Sequence, residues 1–306
     1  MAKGVSVAPR LFNDDDVRAQ LDAGTAVRAI RAAILAHYEG TLQAPARVRA
    51  SLGDGHLVFT AGYLREKGLF GFRAYATHGE AEQLVAVWSD EDGELLALVH
   101  GVELGVRRTG AIGAVAVDAA ARPGAVRAGI VGVGPQAWSQ LWALCSVRQV
   151  EEVVVVARRR ERGAAFARRA SDELGVRARA VVAVEDAVRE RDVVIVATNS
   201  TVPVLESDWI APGTHVTTLG PKTVSRHEVP AELARRAQVI LTDSRVQAAS
   251  YSEPHLFAVD QMIDLGAVLA GAEPGRTAPD QITVFCSVGL AGTEVALAAA
   301  LSKTST

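Results

Sequence analysis

Apolar positions along the first forty residues keep a helical spacing. Between 14 and 39, Val17, Leu21, Val27, Ile30, Ile34 and Leu35 fall on common faces to either side of a break expected at Gly24. The period then shortens. Stretches 46–52, 56–61, 68–77, 83–90 and 94–100 are rich in β formers, and Gly53-Asp54-Gly55 and Glu91-Asp92-Gly93 punctuate them as turns, which predicts an antiparallel meander. A long helix over 102–121 runs into Arg122-Pro123-Gly124, a breaker that marks a domain boundary. Beyond it, strands near 126–132, 152–157, 177–183, 192–198, 214–219, 238–242 and 282–286 alternate with helical stretches, the order of a doubly wound parallel sheet. A final apolar helix over 288–301 follows a bend at Ser287-Val288-Gly289, where the chain can cross back to the first domain. The expected class is α/β, with a parallel-sheet domain over 123–286 beside an α+β domain over 1–122 that 287–306 completes.

Length and composition agree with that division. A chain of 306 residues exceeds the usual single domain, and 49% apolar with 22% charged residues suits a globular α/β protein with a large core. The net charge of −3, with positive charge concentrated only in one short arginine run, argues against a nucleic-acid partner. Cys145 and Cys286 stand in apolar surroundings and read as small core side chains, and their spacing suggests neither a disulfide nor a metal site. The opening MAKGVSVAPRLFNDDD lacks the apolar heart of a signal peptide and no run of eighteen apolar residues occurs, so a cytoplasmic protein without membrane spans is expected.

Chemistry enters at AGIVGVGPQA, residues 128–137, where an apolar strand meets a turn with Gly132, Gly134 and Ala137 in the G-x-G-x-x-G/A pattern. Gly132 permits the tight turn, Gly134 lets the backbone approach a pyrophosphate, and Ala137 lets the next helix pack closely on the sheet. Pro135 and Gln136 open that helix, whose N–H groups would face the phosphates. The 123–286 segment is therefore read as a Rossmann dinucleotide-binding domain. Its second strand, VVVVA, ends at Ala157, where an NAD enzyme would show an acid for the ribose, yet Arg158, Arg159 and Arg160 follow instead. Cations at a helix start oppose the helix dipole, and a 2′-phosphate would explain them, so NADP(H) is the expected cofactor, with Arg158 and Arg159 as its ligands. A solvated charged face is the plain alternative. Thr198, Asn199 and Ser200 follow the fourth strand of this domain at its carboxyl end and are assigned to ribose and nicotinamide. Gly220, Ser287 and Gly289, beyond two further strands, are assigned to the cofactor with them.

Pro45-Ala46-Arg47, GFRAY at 71–75, Arg108-Thr109-Gly110-Ala111, GVGPQA at 132–137, ATNSTVP at 197–203, APGTHVTTLG at 211–220 and ITVFCSVGLA at 282–291 together carry a resemblance. Over nearly its whole length the chain resembles the ornithine cyclodeaminase and μ-crystallin family. The resemblance implies a homodimer whose first domain makes the subunit contact and holds substrate, with a nicotinamide cofactor on the second. It also implies hydride transfer at a carbon bonded to nitrogen, beside a carboxylate.

In that family, arginines at the places of Arg47 and Arg108 bind the substrate carboxylate, a role that suits planar guanidinium forks. A strand-edge or solvated arginine is the alternative at each place. Arg108 stands among Gly105, Thr109 and Gly110, where the helix surface is expected to be bare enough for a ligand. Two positions depart from the family: its usual strand lysine is Arg73 here, and its aspartate falls at Gly220-Pro221-Lys222. Redox-neutral cyclodeamination is therefore disfavoured. Arg73 can orient an anion but is a poor acid, whereas a desolvated Lys222 can deliver a proton to an imine or carbonyl. Lys222 reads equally as a solvated residue or a phosphate contact. One acid replaced by two bases makes the site more cationic, which suits a substrate with more than one anionic group. His78 is a candidate acid in a loop, or simply exposed, and His215 reads as structural.

The resulting expectation is an NADPH-dependent imine reductase or amine dehydrogenase acting on a small carboxylated substrate. A ketone reductase and a turnover-less binding protein of the μ-crystallin kind remain open alternatives.

Overall fold

The computed structural model describes residues 8–78 and 82–304 and divides into two compact units, Met1–Arg108 with Leu290–Thr306, and Thr109–Gly289. The outermost residues of the expected 1–122 and 287–306 segments lie outside the described residues. The division falls within a long helix rather than at Arg122-Pro123-Gly124, the breaker just past its end.

The first unit opens with β1 (Arg10–Phe12), α1 (Asp14–Gln20) and α2 (Ala23–Tyr38). Asn13 caps α1 by accepting from Asp15 N at 2.9 Å and Asp16 N at 3.0 Å, while Asp16 reaches back to Asn13 N at 2.9 Å. The break between the helices lies at Leu21-Asp22 and not at Gly24. Asp22 accepts from Thr25 N at 2.8 Å and starts α2, so the cap decides the boundary and Gly24 sits inside the first turn.

Strands β2 (Leu42–Gln43), β3 (Val48–Leu52), β4 (Gly55–Leu64), β5 (Leu69–Ala76), β6 (Gln83–Ser89) and β7 (Leu95–Gly101) follow, in the sheet order β1-β7-β6-β5-β4-β2 with β3 also on β4. The meander is antiparallel, and β1 adds a parallel edge beside β7. Helix α3 (Glu103–Ala120) begins where Asp14 accepts from Val102 N at 2.9 Å and Glu103 N at 2.8 Å.

The second unit holds β8 (Arg127–Val131), α4 (Pro135–Leu144), β9 (Glu152–Val156), α5 (Arg160–Leu174), β10 (Arg177–Val181), α6 (Val184–Val188), β11 (Val193–Val196) and β12 (His215–Thr218). After them come α7 (Glu232–Arg236), β13 (Val239–Thr242), α8 (Arg245–Ala249), β14 (Ile263–Asp264), α9 (Leu265–Leu269) and β15 (Thr283–Cys286). Its sheet is wholly parallel, in the order β10-β9-β8-β11-β12-β15-β13-β14. Strands buried on both faces explain the continuous apolar runs. Along β9, Val153 and Val155 join one apolar cluster while Val154 and Val156 join another.

Helix α10 (Thr293–Thr304) returns to the first unit, covers the meander and packs on α2. Residues 288–292, expected to be helical, form a turn in which Gly289 and Gly292 have φ of 86° and 78°. A side chain on Gly62 would lie 2.4 Å from Gly292 Cα, so this glycine contact presses the start of α10 onto the middle of β4. Among the described residues, no helix is long and apolar enough to cross a membrane.

Candidate active site

In the second unit the glycine turn is built as its spacing demands. Gly132 has φ of 104°, and a side chain there would meet Ala197 O at 2.2 Å, so the end of β8 sits hard against the end of β11. Gly134 caps α4 without a side-chain partner and faces open space, and Pro135 takes the first helical position. The N–H groups of Gln136 and Ala137 therefore lie free at a helix start beside a bare glycine. Gln136 Oε1, an acceptor, is buried with no partner, and a hydroxyl rather than a phosphate oxygen would satisfy it. These residues fit a dinucleotide pyrophosphate. Arg158, Arg159 and Arg160 are exposed just past β9.

The carboxyl ends of the central strands are tied by buried acids that the sequence reading passed over. Glu228 Oε1 accepts from Thr218 Oγ1 at 2.7 Å, Leu219 N at 2.9 Å and Gly220 N at 2.6 Å. Its Oε2 accepts from Thr198 N and Thr198 Oγ1, both at 2.8 Å. Asp243 accepts from Val288 N and Gly289 N at 2.8 Å each, joining the end of β13 to the turn after β15. Several residues expected at the cofactor are thus committed to the protein. The Thr198 hydroxyl donates to Glu228, the Ser200 hydroxyl to Val202 O at 2.6 Å, and the Gly289 amide to Asp243. A side chain on Gly220 would lie 2.2 Å from Thr198 O, and Ser287 N donates to Thr218 O at 3.2 Å. Asn199 alone of its triplet is exposed.

Lys222 follows this tied end and is only 2% exposed, which excludes the solvated reading. Its Nζ donates to Gly220 O at 2.6 Å and Leu219 O at 3.1 Å. Burial lowers its pKa, with Glu228, Cys286 and Asp243 opposing. His255, which sequence reasoning missed, is held down at about 4 by burial and then by Lys222, and its Nε2 is buried without a partner. His215 is structural: fully buried at the start of β12, it bonds Thr283 Oγ1 at 2.8 Å, and burial holds it at about 3.

In the first unit, Arg73 and Arg108 meet on one carboxylate. Arg73 Nη1 lies 2.9 Å and Arg108 Nη2 2.5 Å from Oε1 of Glu294, whose side chain is 1% exposed. The Gly62–Gly292 contact two residues earlier seats Glu294 near β5. Arg73 Nε also donates to Gln83 Oε1 at 2.9 Å, and its guanidinium lies 4.3 Å from the centre of the Tyr75 ring. Burial alone would push the Glu294 carboxyl up, but Arg108 and Arg73 overcome it and hold it at about 2. The lowered pKa of Arg73 comes first from burial, with Glu294 opposing.

Glu294, which the sequence reading did not place here, offsets one of the two arginine charges. It was detectable as a lone acid in the apolar run TEVALAAAL, where a buried charge demands a partner. The helix surface around Arg108 is not bare either. A side chain on Gly105 would meet Gln83 Oε1 at 2.6 Å, and one on Gly110 would meet Ser139 O at 2.2 Å. These glycines admit neighbouring protein rather than ligand. Arg108 itself is buried, with Nε lacking an acceptor. Arg47 is half-buried just before β3. His78 is exposed, and its ring lies so close over Gly55 that a side chain there would stand 2.3 Å from it.

A sequence profile of the ornithine cyclodeaminase/mu-crystallin family matches residues 10–304. The chain is 33% identical over 214 residues to a Δ1-pyrroline-2-carboxylate reductase of Bacillus cereus, a stretch covering 67% of this chain and 66% of that protein's length. The fold superposes with a TM-score of 0.88 on the Δ1-pyrroline-2-carboxylate reductase of Thermococcus litoralis in complex with NADH and L-proline, at 25% identity and 97% of both chains. It superposes with a TM-score of 0.86 on the iminosuccinate reductase of Paracoccus denitrificans with NAD+, at 25% identity and covering 97% and 96%. With its glycine turn, its parallel sheet and its returning last helix, this chain belongs to the ornithine cyclodeaminase/mu-crystallin family.

Proposed function

We propose that this protein reduces imines that carry a carboxylate, with NADPH as reductant, and catalyses the reverse dehydrogenation of the amine. The observation that carries this reading is the buried Arg73–Glu294–Arg108 cluster, in which Arg108 Nε has no acceptor. A buried guanidinium N–H without a partner is costly, and a substrate carboxylate would satisfy it. The names of its relatives, reductases of pyrroline-2-carboxylate and iminosuccinate, describe the same chemistry.

When bound, the cofactor supplies a hydride to the imine carbon, and the nitrogen takes a proton. Gly132, Gly134 and the amides of Gln136 and Ala137 would hold its pyrophosphate, Asn199 its ribose, and Arg158 and Arg159 the 2′-phosphate. Arg108 and Arg47 orient the substrate carboxylate, and Arg73, bound to Glu294 and Gln83, keeps Arg108 company as a fixed support. The proton is assigned to Lys222: two of its N–H groups face Leu219 and Gly220, one remains, and burial makes the ammonium a stronger acid. His78, packed on Gly55, is given no part.

Replacing Lys222 with Gln tests the assignment. The expected result is a fall in kcat of about a hundredfold or more with NADPH affinity retained; unchanged kcat removes Lys222 from the reaction. Reduction of a ketone in the absence of any amine would favour the ketone reading instead.

The second face of the first unit's sheet supports a homodimer. Phe59, Phe70, Leu84 and Leu96 are exposed there, and the Phe70 and Trp88 rings stack at 5.7 Å. An apolar face of this kind marks a protein contact, and its two-fold self-association would cover it. A cytoplasmic setting agrees with the free thiols of Cys145 and Cys286.

A further inference from the structure

Lys222 is a buried cation whose carboxylate stands one peptide away. Its Nζ donates to Leu219 O at 3.1 Å and to Gly220 O at 2.6 Å, and among the described residues no carboxylate pairs with it directly. The peptide that joins Leu219 to Gly220 is held from both ends. Its oxygen accepts from Lys222 Nζ, and its N–H, that of Gly220, donates to Glu228 Oε1 at 2.6 Å. A short return of the chain makes this geometry: Lys222 bridges His227, and Glu228 N donates to Pro221 O at 3.0 Å. Glycine is needed at 220, because a side chain there would stand 2.4 Å from Glu228 Oε2. A peptide dipole with a cation at its oxygen and an anion at its N–H strengthens both contacts. The other titratable groups around Lys222 are weaker partners. Burial pushes the Cys286 thiol, at the end of β15, up to about 12 and so keeps it uncharged. Asp243, after β13, is engaged by Val288 N and Gly289 N. His255, on the segment whose Leu256 N donates to Lys222 O at 2.7 Å, is held down at about 4 and is neutral at pH 7. Of the groups that oppose the burial of Lys222, Glu228 comes first.

We propose that Glu228 is the counter-ion of Lys222, acting through the Leu219–Gly220 peptide, and that it keeps the buried ammonium charged. A lone ammonium at this depth would discharge. With Glu228 in place the proton stays on Nζ until a substrate nitrogen takes it. Glu228 does not touch the reacting atoms and is a positioning residue. The coupling stands on the geometry, while its use in turnover rests on the reductase reading.

The chain has four lysines, Lys3, Lys67, Lys222 and Lys303, so carbon-13 labelling at lysine Cε gives a simple spectrum in which Lys222→Gln identifies the Lys222 signal. The test is the midpoint of that signal's pH titration in the wild type and in Glu228→Gln. The midpoint is expected to fall by about one pH unit or more in the variant, the scale for losing an opposite charge. A purely structural acid would cost stability and leave the midpoint in place, and that result overturns the proposal. Should Glu228→Gln not fold, the wild-type protein answers through the carboxyl carbon of Glu228. Its shift is expected to follow the midpoint of Lys222 and to stay flat over that range in Lys222→Gln; a carboxyl carbon flat in both overturns the proposal. In turnover, the alkaline limb of kcat/KM should move to lower pH with the midpoint, because the protonated lysine is the active form. If the midpoint falls while the limb stays, Lys222 is not the proton donor of the reductase reading and the counter-ion stands.

Discussion

In the first unit the buried carboxylate of Glu294 faces two guanidinium groups, whereas in the second Glu228 and Asp243 face main-chain amides. An acid held by backbone N–H groups and threonine hydroxyls locks strand ends to one another. An acid held by arginines sets their positions yet leaves net charge and free N–H groups behind. On the proposed reading the contrast separates two jobs: the second unit would be a fixed cradle for the cofactor, and the first a charged grip for the substrate.

The largest expected effect lies in the cradle. Glu228→Ala strips the acceptor from two Thr hydroxyls and three backbone N–H groups. A loss of about 3–5 kcal/mol is expected in urea denaturation, because buried donors are left unsatisfied. A loss below about 1 kcal/mol would break the comparison, since it would mean those strand ends hold without their acid. Arg158→Ala comes next and sharpens the assignment of the cradle. It should weaken NADPH binding by about tenfold or more and leave NADH nearly unchanged, as removal of one charge-assisted phosphate contact requires. Equal losses in calorimetric titrations of both would remove the preference for the phosphorylated form. The smallest effect on the folded chain is expected from Phe70→Glu on the exposed sheet face. Folding stability should change little, while light scattering should report a shift from dimer to monomer; an unchanged mass would place the subunit contact elsewhere.

The strands of the second unit were legible because parallel strands buried on both faces read as unbroken apolar runs such as VVVVA, bounded by glycine turns. Strands β1, β2 and β14 were not expected, because two or three residues are too few to show a period. The first helical stretch breaks before Gly24 because Asp22 caps the second helix, and a cap is a weaker signal in the sequence than a glycine. Gly132 and Gly134 were readable from spacing alone, since each answers a local backbone need. Glu294 was not, because its partners Arg73 and Arg108 are 221 and 186 residues away in sequence and only the fold brings them together. Glu228, which serves Thr198 and Gly220, was hidden for the same reason.

The most direct measurement follows the absorbance of NADPH during reaction with Δ1-pyrroline-2-carboxylate and, separately, with its methyl ester. Steady oxidation with the acid is predicted, at least about thirtyfold slower with the ester, the scale for removing one partner of a buried charge pair. Equal rates with acid and ester, or no oxidation with the acid, would contradict a carboxylate-gripping imine reductase.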